Sequence, residues 1–384
     1  MHRPVYLDYN ATTPIDPAVV EAMLPFLAEH FGNASSMHEY GYIAHQAVER
    51  ARAQVASLLA AWPGEIIFTA GGSETDNLAI KGAVFQRLDR QPHVISTVIE
   101  HPAVLNTLQY LRRRFGVKST LLPVDQYGLI TADQVRGALR PETVLITVMH
   151  ANNEVGTVQP IGEIGAVARE AGALFHVDAA QSAGKLPIDV TTLNADMVTI
   201  AGHKVYGPKG IGALYLRRGA QIDPLVHGSG QEHGMRAGTE NVASIVGLGA
   251  ACAIAADHQS REERRLTLLR DRLQALLADA VPRLELNGHP TRRLPNTLNV
   301  SLCGALGQAV LASASDVAAS TGSACHAGAS EPSPVLMAMG LSAERALAAL
   351  RLSLGRWTSE EEIERAAAAL IAGYSACAAM VSQA

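Results

Sequence analysis

The chain has 384 residues, of which 48% are hydrophobic and 17% charged, and its formal net charge is −5. This composition indicates a globular protein with a full core and excludes an intrinsically disordered chain. The net negative charge provides no basic field for nucleic acid or for an anionic membrane, so we expect neither as a partner. The length predicts two structural units.

Four cysteines are spread widely along the chain, at positions 252, 303, 325 and 377. No two of them have metal-ligand or redox spacing, so we predict no disulfide framework, no metal site and a reducing, cytoplasmic location. The N-terminal residues do not show the pattern of a secretory signal. The most apolar stretch, residues 242–256, is shorter than the roughly 20 residues of a membrane span and predicts a buried helix.

Residues from about 40 to 230 alternate between helical and strand patterns. Apolar residues at 43, 47, 51, 55, 58 and 59 share one face at the 3.6-residue period and predict a helix. Strands are predicted at 65–69, 94–98, 117–122, 144–149, 174–177 and 197–200, with helices after residue 72, near 102 and at 161–171. This alternation predicts an α/β fold with a mostly parallel sheet covered on both faces. Ligands of such sheets bind beyond the C-terminal ends of the strands.

The pattern changes after a long apolar helix predicted near 241–275. Segments 284–286, 297–302 and 349–354 predict strands of a smaller α+β unit, and an alanine-rich helix follows from about residue 359. We therefore predict a large ligand-binding domain over residues 16–257. The small domain is predicted to combine residues 1–15 with residues 258–384.

Two charged residues follow neighbouring predicted strands. Lys204, in Gly202-His203-Lys204, lies among small residues that let a bulky ligand approach the backbone. A lysine that forms a Schiff base would stand there, although most loop lysines are merely solvated. Asp178 ends the preceding strand, where a carboxylate can pair with a protonated pyridine nitrogen or simply cap a turn. The pair fits a pyridoxal 5′-phosphate (PLP) site.

Two further strand ends carry candidate ligands. Gly71 and Gly72 precede a predicted helix whose N–H groups and dipole favour a phosphate, although a plain turn has the same pattern. Ser73 and Asp76 predict a capping box for that helix. His101 follows another strand, where an imidazole can stack on a cofactor ring and move protons, or serve only the structure.

Together these motifs resemble the cysteine desulfurases, fold-type I PLP enzymes of the class V aminotransferase family found in iron–sulfur cluster assembly and nitrogen fixation. The resemblance runs from residues 6–14 to residues 351–356 and is most specific at 176–178, 202–204 and 323–325. It implies a mostly parallel sheet of the seven-stranded type with helices on both faces, plus a smaller α+β domain. It also implies a homodimer with shared active sites.

The resemblance assigns roles around the cofactor ring. Lys204 carries the cofactor covalently, Asp178 pairs with the pyridine nitrogen and Gln181 reaches the phenolic oxygen. His101 stacks on the ring and is the candidate for moving the thiol proton. These assignments agree with the positions of Lys204 and Asp178 at two successive strand ends.

The resemblance also assigns the substrate and the phosphate. Asn153 and Arg351 hold the substrate carboxylate, for which an arginine fork offers two donors. The phosphate is held by Gly72, Ser73 and His203 and, from the opposite subunit, by Thr239.

Cys325 lies among small residues between Gly322 and Gly328, which favour a loop that can move toward the cofactor and away. The resemblance implies that its thiolate takes sulfur from L-cysteine, releases L-alanine and keeps a persulfide for an acceptor protein docking near this loop. A free thiol has a pKa of about 8.5, so a modestly electropositive site yields the thiolate. His326 either contributes to it or is merely solvated. The other three cysteines are predicted to be inert packing residues.

Three features depart from the pattern of the resembled enzymes. Ala201 stands where they carry a serine or threonine hydroxyl for the phosphate, which predicts weaker cofactor binding by roughly 1.5–3 kcal/mol. The sequence ends at Ala384, before the longer tail with which the assembly enzymes dock their scaffold. Residues 302–317 lack the usual acidic side chains, and with segments 325–326 and 332–336 they resemble selenocysteine lyases.

Selenocysteine lyase is therefore the alternative activity, although the spacing of Cys325 and Pro332 is closer to that of the desulfurases. A sulfur-carrier protein that kept the fold without catalysis is a second alternative. The joint presence of Lys204, Asp178, Cys325 and Arg351 argues against it. The sequence leaves the sulfur acceptor open.

Overall fold

The computed structural model describes residues 3–321 and 331–381. Its helices are α1 (Pro17–Ala28), α2 (Glu39–Leu58), α3 (Gly72–Phe85), α4 (Pro102–Phe115), α5 (Ala132–Ala138), α6 (Ile161–Ala171), α7 (Val242–Ala280), α8 (Gly307–Ser313), α9 (Pro334–Ala338), α10 (Ala343–Leu347) and α11 (Glu360–Val381). Its strands are β1 (Val5–Tyr6), β2 (Ile66–Thr69), β3 (His93–Thr97), β4 (Lys118–Leu122), β5 (Thr143–Met149), β6 (Leu174–Asp178), β7 (Met197–Ala201), β8 (Gly212–Leu216), β9 (Leu284–Leu286), β10 (Thr297–Leu302), β11 (Val317–Ala318) and β12 (Ala349–Ser353).

The large sheet has seven strands in the order β2-β8-β7-β6-β5-β3-β4. The strands from β7 to β4 pair in parallel, whereas β8 runs antiparallel to both β2 and β7. The predicted fold class, α/β with a mostly parallel sheet, is confirmed. The sequence did not predict β8, whose first residue must be small: a Cβ on Gly212 would lie 2.8 Å from the carbonyl carbon of Gly71.

Both faces of this sheet are buried, because successive residues of a strand point to opposite sides. Ile66 and Phe68 belong to one hydrophobic cluster with α2, α6 and the first part of α7, whereas Ile67 belongs to another with α3 and α4. Val94 and Ile95 divide between the two clusters in the same way. The near-continuous apolar strands of the sequence are explained by this double burial.

A second unit holds the antiparallel sheet β12-β10-β9 and the short parallel pair β1-β11. Its cluster contains Val5 and Leu7 from the N-terminal segment, together with residues of α11 and of the second part of α7. The predicted boundary at residue 257 falls inside the continuous helix α7. The division into residues 16–257 and residues 1–15 plus 258–384 stays a prediction.

Within the described residues, α7 is long and apolar enough to cross a membrane by length and composition alone. Its first turns, however, lie in the interior: Ile245, Leu248 and Cys252 are at most 2% exposed and belong to the core that covers the large sheet. The sequence prediction of a buried helix over residues 242–256 agrees with this packing.

Candidate active site

Asp178 and Lys204 come from neighbouring strands at the C-terminal edge of the sheet. Asp178 is the last residue of β6, and Lys204 ends a single 3₁₀ turn, Gly202–Lys204, that follows β7. The parallel register pairs Asp178 with Thr199 of β7. The two candidate residues therefore share one edge of the sheet, where ligands of such sheets bind.

Asp178 is 7% exposed, and its Oδ1 accepts a hydrogen bond from the N–H of Ala180 at 2.9 Å. Burial raises the pKa of this carboxyl, and the Ala180 N–H and nearby His101 oppose that rise. No hydrogen bond reaches Oδ2 from the residues that the structure describes. A buried carboxylate with one oxygen open fits a cationic N–H donor such as a protonated pyridine nitrogen.

Asp178 is supported from below by a buried network. His176, two residues earlier on the same face of β6, bonds Thr147 Oγ1 through Nδ1 at 2.8 Å and Thr199 Oγ1 through Nε2 at 2.9 Å. Burial lowers the pKa of His176 to about 3, so the ring is neutral. A neutral ring bonded on both sides fixes β6 between β5 and β7 without adding charge beneath Asp178.

The predicted capping box of α3 is wrong. Helix α3 begins at Gly72 with Gly71 as its N-cap and without a side-chain cap, so Ser73 lies inside the first turn. Asp76 is 2% exposed, and its Oδ1 has no hydrogen-bond partner. Burial and the charge of Asp178 raise the pKa of Asp76 well above its usual range, which favours the neutral acid. Asp76, which the sequence predicted as part of a helix cap, is instead buried close to Asp178.

The side chain of Lys204 crosses to the N-terminal segment. Its Nζ donates to the backbone carbonyls of Asn10 and, at 2.9 Å, of Ala11. Asn10 is 1% exposed, and its side-chain amide donates to the carbonyl of Asn153 at 3.1 Å. One buried residue thus connects the lysine with the neighbourhood of Arg351.

His101 is the N-cap of α4. Its Nδ1 accepts the N–H of Ala103 at 3.1 Å, so the neutral ring carries its proton on Nε2. Burial lowers the pKa of His101, which favours that neutral form. An open cleft of about 450 Å³ is lined by both His101 and Ser73, and it joins this imidazole to the start of α3.

The candidate phosphate site surrounds the first turn of α3. The N–H groups at a helix start have no partners inside the helix, and Gly71 has φ +140°, a backbone conformation that favours glycine. A Cβ on Gly72 would lie 3.3 Å from that of Ala201, so the departure at position 201 directly adjoins this turn. His203 Nδ1 contacts Thr12 Oγ1 at 3.2 Å, and burial lowers the pKa of His203 to about 4.

Arg351 lies in β12 with its side chain 2% exposed. Its Nη2 donates to Asp8 Oδ1 at 2.9 Å and its Nη1 to the carbonyl of Asn153 at 3.3 Å, whereas Nε is buried without a partner. A buried unpaired donor costs roughly 1–3 kcal/mol. An external acceptor such as a carboxylate would satisfy it. Asn153 contributes its backbone carbonyl to the contacts described here, and the carboxylate role of Arg351 and Asn153 stays a prediction.

Cys325 lies outside the described residues, as do its neighbours from 322 to 330. Both flanking segments are described. Ser320 forms a bridge with Arg351, and the hydroxyl of Ser333 donates to the Glu154 carboxylate at 2.5 Å. The segment that contains Cys325 is therefore attached on one side directly to the predicted substrate arginine.

Thr239 is exposed. The loop that contains it is attached to the rest of the chain through Glu232. Glu232 of that loop is buried, accepts from Arg52 Nη1 at 2.7 Å and from Nη2 at 2.9 Å, and also accepts the N–H of Phe68 at 2.8 Å. No contact between Thr239 and Lys204 of the same chain is described. The exposed position of Thr239 on this loop is compatible with its predicted contact with the cofactor phosphate in a neighbouring subunit.

The residues present fit PLP. A lysine, an acid partner for the ring nitrogen and a glycine-led helix start converge at one sheet edge, while Asp178 and Arg351 each keep a polar atom without a partner in the described chain. A family model described as "Aminotransferase class-V" matches residues 5–366. The chain belongs to this family.

Known relatives and solved structures are similar to this chain over most of its length. "Cysteine desulfurase IscS" of Methanosarcina thermophila is 48% identical over 367 residues, which is 95% of this chain and 90% of the relative. A structure of a "NifS-like protein" has a TM-score of 0.90 at 35% identity and covers 96% of this chain and 98% of its own. "SspA in complex with cysteine" has a TM-score of 0.83 at 43% identity over 92% and 99%.

Family membership confirms several predictions made from the sequence. The chain is a PLP-dependent enzyme of the cysteine desulfurase kind within the class V aminotransferases. The roles of individual residues stay predictions, including those of Gly72, Ser73, His203 and Thr239 at the phosphate.

Sequence reasoning missed the residues that support the site. Asp8, Asn10 and Lys185 contact Arg351, Lys204 and Gln181 respectively. Asp8 and Asn10 lie outside the large sheet, and Lys185 stands seven residues beyond the end of β6. The one available signal was polarity: Asp8 and Asn10 stand in an otherwise apolar and aromatic N-terminal segment.

Proposed function

We propose that the protein converts L-cysteine to L-alanine and keeps the sulfur as a persulfide on Cys325 for transfer to an acceptor protein. The observation that carries the proposal is the convergence of Lys204, Asp178 and an Arg351 with a free buried Nε, joined through Asn10 and Asn153. An amino acid needs such an arrangement: a lysine and an acid for its amine chemistry and an arginine for its carboxylate.

When bound, PLP supplies an electron sink for the pair released as a proton leaves Cα of the substrate. Lys204 would hold the cofactor covalently between turnovers and, as a free amine, would take the Cα proton of the substrate. The carbonyls of Asn10 and Ala11 accept hydrogen bonds from Nζ and stabilise the ammonium that forms. Asp178 keeps the proton on the ring nitrogen, and Arg351 orients the substrate through its carboxylate.

Sulfur transfer is the task of Cys325. Its thiolate forms an S–S bond with the substrate sulfur while the C–S bond breaks, and the electron pair of that bond stays with the three-carbon fragment. Protonation of the fragment gives L-alanine, so cysteine plus enzyme thiol become alanine plus enzyme persulfide. His101 is the group proposed to move the thiol proton.

The proposed assembly is a homodimer in a cytoplasmic setting. Large hydrophobic side chains of α1, of the segment after it and of the start of α2 are exposed, namely Leu24, Leu27, Phe31, Met37, Tyr40 and Tyr42. Exposed apolar side chains of this size favour association, and Thr239 then serves the phosphate of the other subunit. A reducing compartment is supported by Cys252, Cys303 and Cys377, which are buried free thiols.

The test compares Cys325→Ala with Cys303→Ala, a buried cysteine outside the site. Both variants are expected to keep the cofactor spectrum, because Lys204 and Asp178 are unchanged. Cys325→Ala is expected to lose alanine production from L-cysteine by at least roughly 10²-fold, whereas Cys303→Ala keeps it. Alanine is measured under reducing conditions after removal of free cofactor.

L-selenocysteine distinguishes the alternative activity. Selenium leaves carbon more readily than sulfur, so Cys325→Ala is expected to retain part of its activity on that substrate. If the wild-type protein has no activity on L-cysteine but converts L-selenocysteine, it is a selenocysteine lyase. Normal desulfuration of cysteine by Cys325→Ala would show that Cys325 is not the acceptor.

A further inference from the structure

A second lysine, Lys185, lies beside the site and has no part in the proposed chemistry. It stands in the turn after β6, seven residues beyond Asp178. Its Nζ donates to the backbone carbonyl of Gln181 at 2.8 Å and contacts Oε1 of the same residue at 3.4 Å. Gln181 itself is 6% exposed, so these contacts fix a buried amide.

The amide of Gln181 connects the two lysines. Its Nε2 donates to the carbonyl of Asn10 at 3.0 Å, and the same carbonyl accepts from Lys204 Nζ. Lys185 is close enough to Lys204 for their charges to interact: burial and the charge of Lys204 lower the pKa of Lys185 to about 7. Either protonation form of Lys185 retains N–H donors for Gln181.

These contacts determine which way the amide points. In the reversed orientation Oε1 would face the Asn10 carbonyl and Nε2 would face the Lys185 ammonium, and both pairs repel. The observed orientation uses one N–H of Nε2 for Asn10. Among the described residues the second N–H has no acceptor, and it is the donor available to a ligand on the Lys204 side.

We propose that Lys185 is a positioning residue for the cofactor, holding the Gln181 amide so that its second N–H is presented to the phenolic oxygen, and that it places a positive neighbour beside Lys204. The inference rests on the proposed function, since it uses the Gln181 role implied by the family resemblance. Both effects have the same sign. A donor to the phenolate and a nearby cation each disfavour protonation of the cofactor-linked Lys204 nitrogen.

Other charged and titratable groups face the two lysines and are unchanged by a substitution at Lys185. On the Lys204 side they are His101, Asp178 and His203. On the Lys185 side a small cavity is lined by His258, Glu262, Glu263 and Arg356. Because wild type and variant share these groups, a difference between the pH midpoints of their cofactor absorbance is attributed to Lys185.

The experiment titrates the cofactor absorbance of the holoenzyme with pH in wild type, Lys185→Met and Lys185→Gln. Lys209→Met is the control, because Lys209 is exposed in the loop after Lys204. Lys185→Met is expected to raise the pH of half-deprotonation by about 0.5 or more, a threefold change in proton affinity. Lys185→Gln is expected to shift the midpoint in the same direction. It replaces Lys185→Met in the test if the Lys185→Met protein does not retain the cofactor. Lys209→Met leaves the midpoint in place.

The proposal is overturned if the pH midpoint of the cofactor absorbance in Lys185→Met or Lys185→Gln equals that of wild type. It is also overturned if Lys209→Met shifts this midpoint by the same amount as the Lys185 variants. Failure of the proposed function is seen separately, because it appears as wild-type protein that binds cofactor yet forms no alanine from L-cysteine.

Discussion

The cofactor side and the substrate side of the site are built by different means. Beneath Asp178, His176 and two threonine hydroxyls satisfy one another in a buried, uncharged network. Beside Arg351, one ion pair with Asp8 and one backbone carbonyl leave a buried Nε without a partner. The first side offers a ligand the open carboxylate oxygen of Asp178 on a neutral, internally bonded support. The second keeps an unsatisfied donor that a substrate carboxylate can satisfy, so the two sides are expected to respond differently to substitution.

The largest expected effect is on the cofactor side. Lys204→Ala removes the only proposed covalent attachment, so borohydride treatment is expected to fix no cofactor on the protein, and alanine production is expected to fall below detection. The measurement is the mass of the reduced protein, with Lys209→Ala as the control that retains the adduct. An adduct that survives in Lys204→Ala would assign the attachment to another lysine.

On the substrate side, Arg351→Met is expected to raise KM for L-cysteine by about 100-fold, because two hydrogen bonds to a charged group are lost. The cofactor spectrum is expected to stay that of wild type, since the network under Asp178 is unchanged. Arg356→Met is the control: it breaks a comparable arginine–aspartate pair, with Asp16, away from the predicted carboxylate site. An altered spectrum with an unchanged KM would contradict the division into two sides.

Thr239→Ala addresses the shared phosphate site. Loss of one hydrogen bond to a charged group is expected to weaken cofactor binding by about tenfold, measured as a dissociation constant after the bound cofactor is removed. The oligomeric state is followed in parallel by light scattering. A fully active monomer, or wild-type affinity in Thr239→Ala, would exclude a contribution from the second subunit.

The smallest expected effect is a gain. Ala201→Ser supplies the hydroxyl that the family resemblance implies next to the first turn of α3, and it is expected to tighten cofactor binding by about tenfold, the lower end of the range for a hydrogen bond to a charged group. Ala201 is 2% exposed and adjoins Gly72, so the added oxygen has little room and needs an acceptor. Weaker binding in Ala201→Ser would show that the oxygen finds no acceptor there.

The sequence predicted the parts of the fold that local pattern determines. Strands 284–286 and 297–302 agree with β9 and β10 residue for residue, and the helix predicted near 161–171 agrees with α6. The period of the apolar residues and the flanking turn residues determine these elements. The antiparallel strand β8 was missed. Its GALYL sequence is short and glycine-led, and the reason for Gly212 is a contact with Gly71 that lies 141 residues away.

The site divides in the same way. Lys204, Asp178 and the glycines before α3 were found because strand ends share an edge in a parallel sheet. Asp8 and Asn10 were not, since their roles depend on contacts with residues up to 343 positions distant. Lys185 was not, because its contact with Gln181 depends on the conformation of the turn after β6. Asp76 was misassigned because a polar residue near a helix start resembles a cap until its burial is known.

Helix α7 has a mechanical consequence. Its 39 residues form one rod about 58 Å long, with Leu248 in the core of the large sheet and Leu273 and Leu277 in the core of the smaller unit. A hinge between the two units would have to bend or break this rod. We therefore expect the relative movement of the two units to be limited to a small flexing.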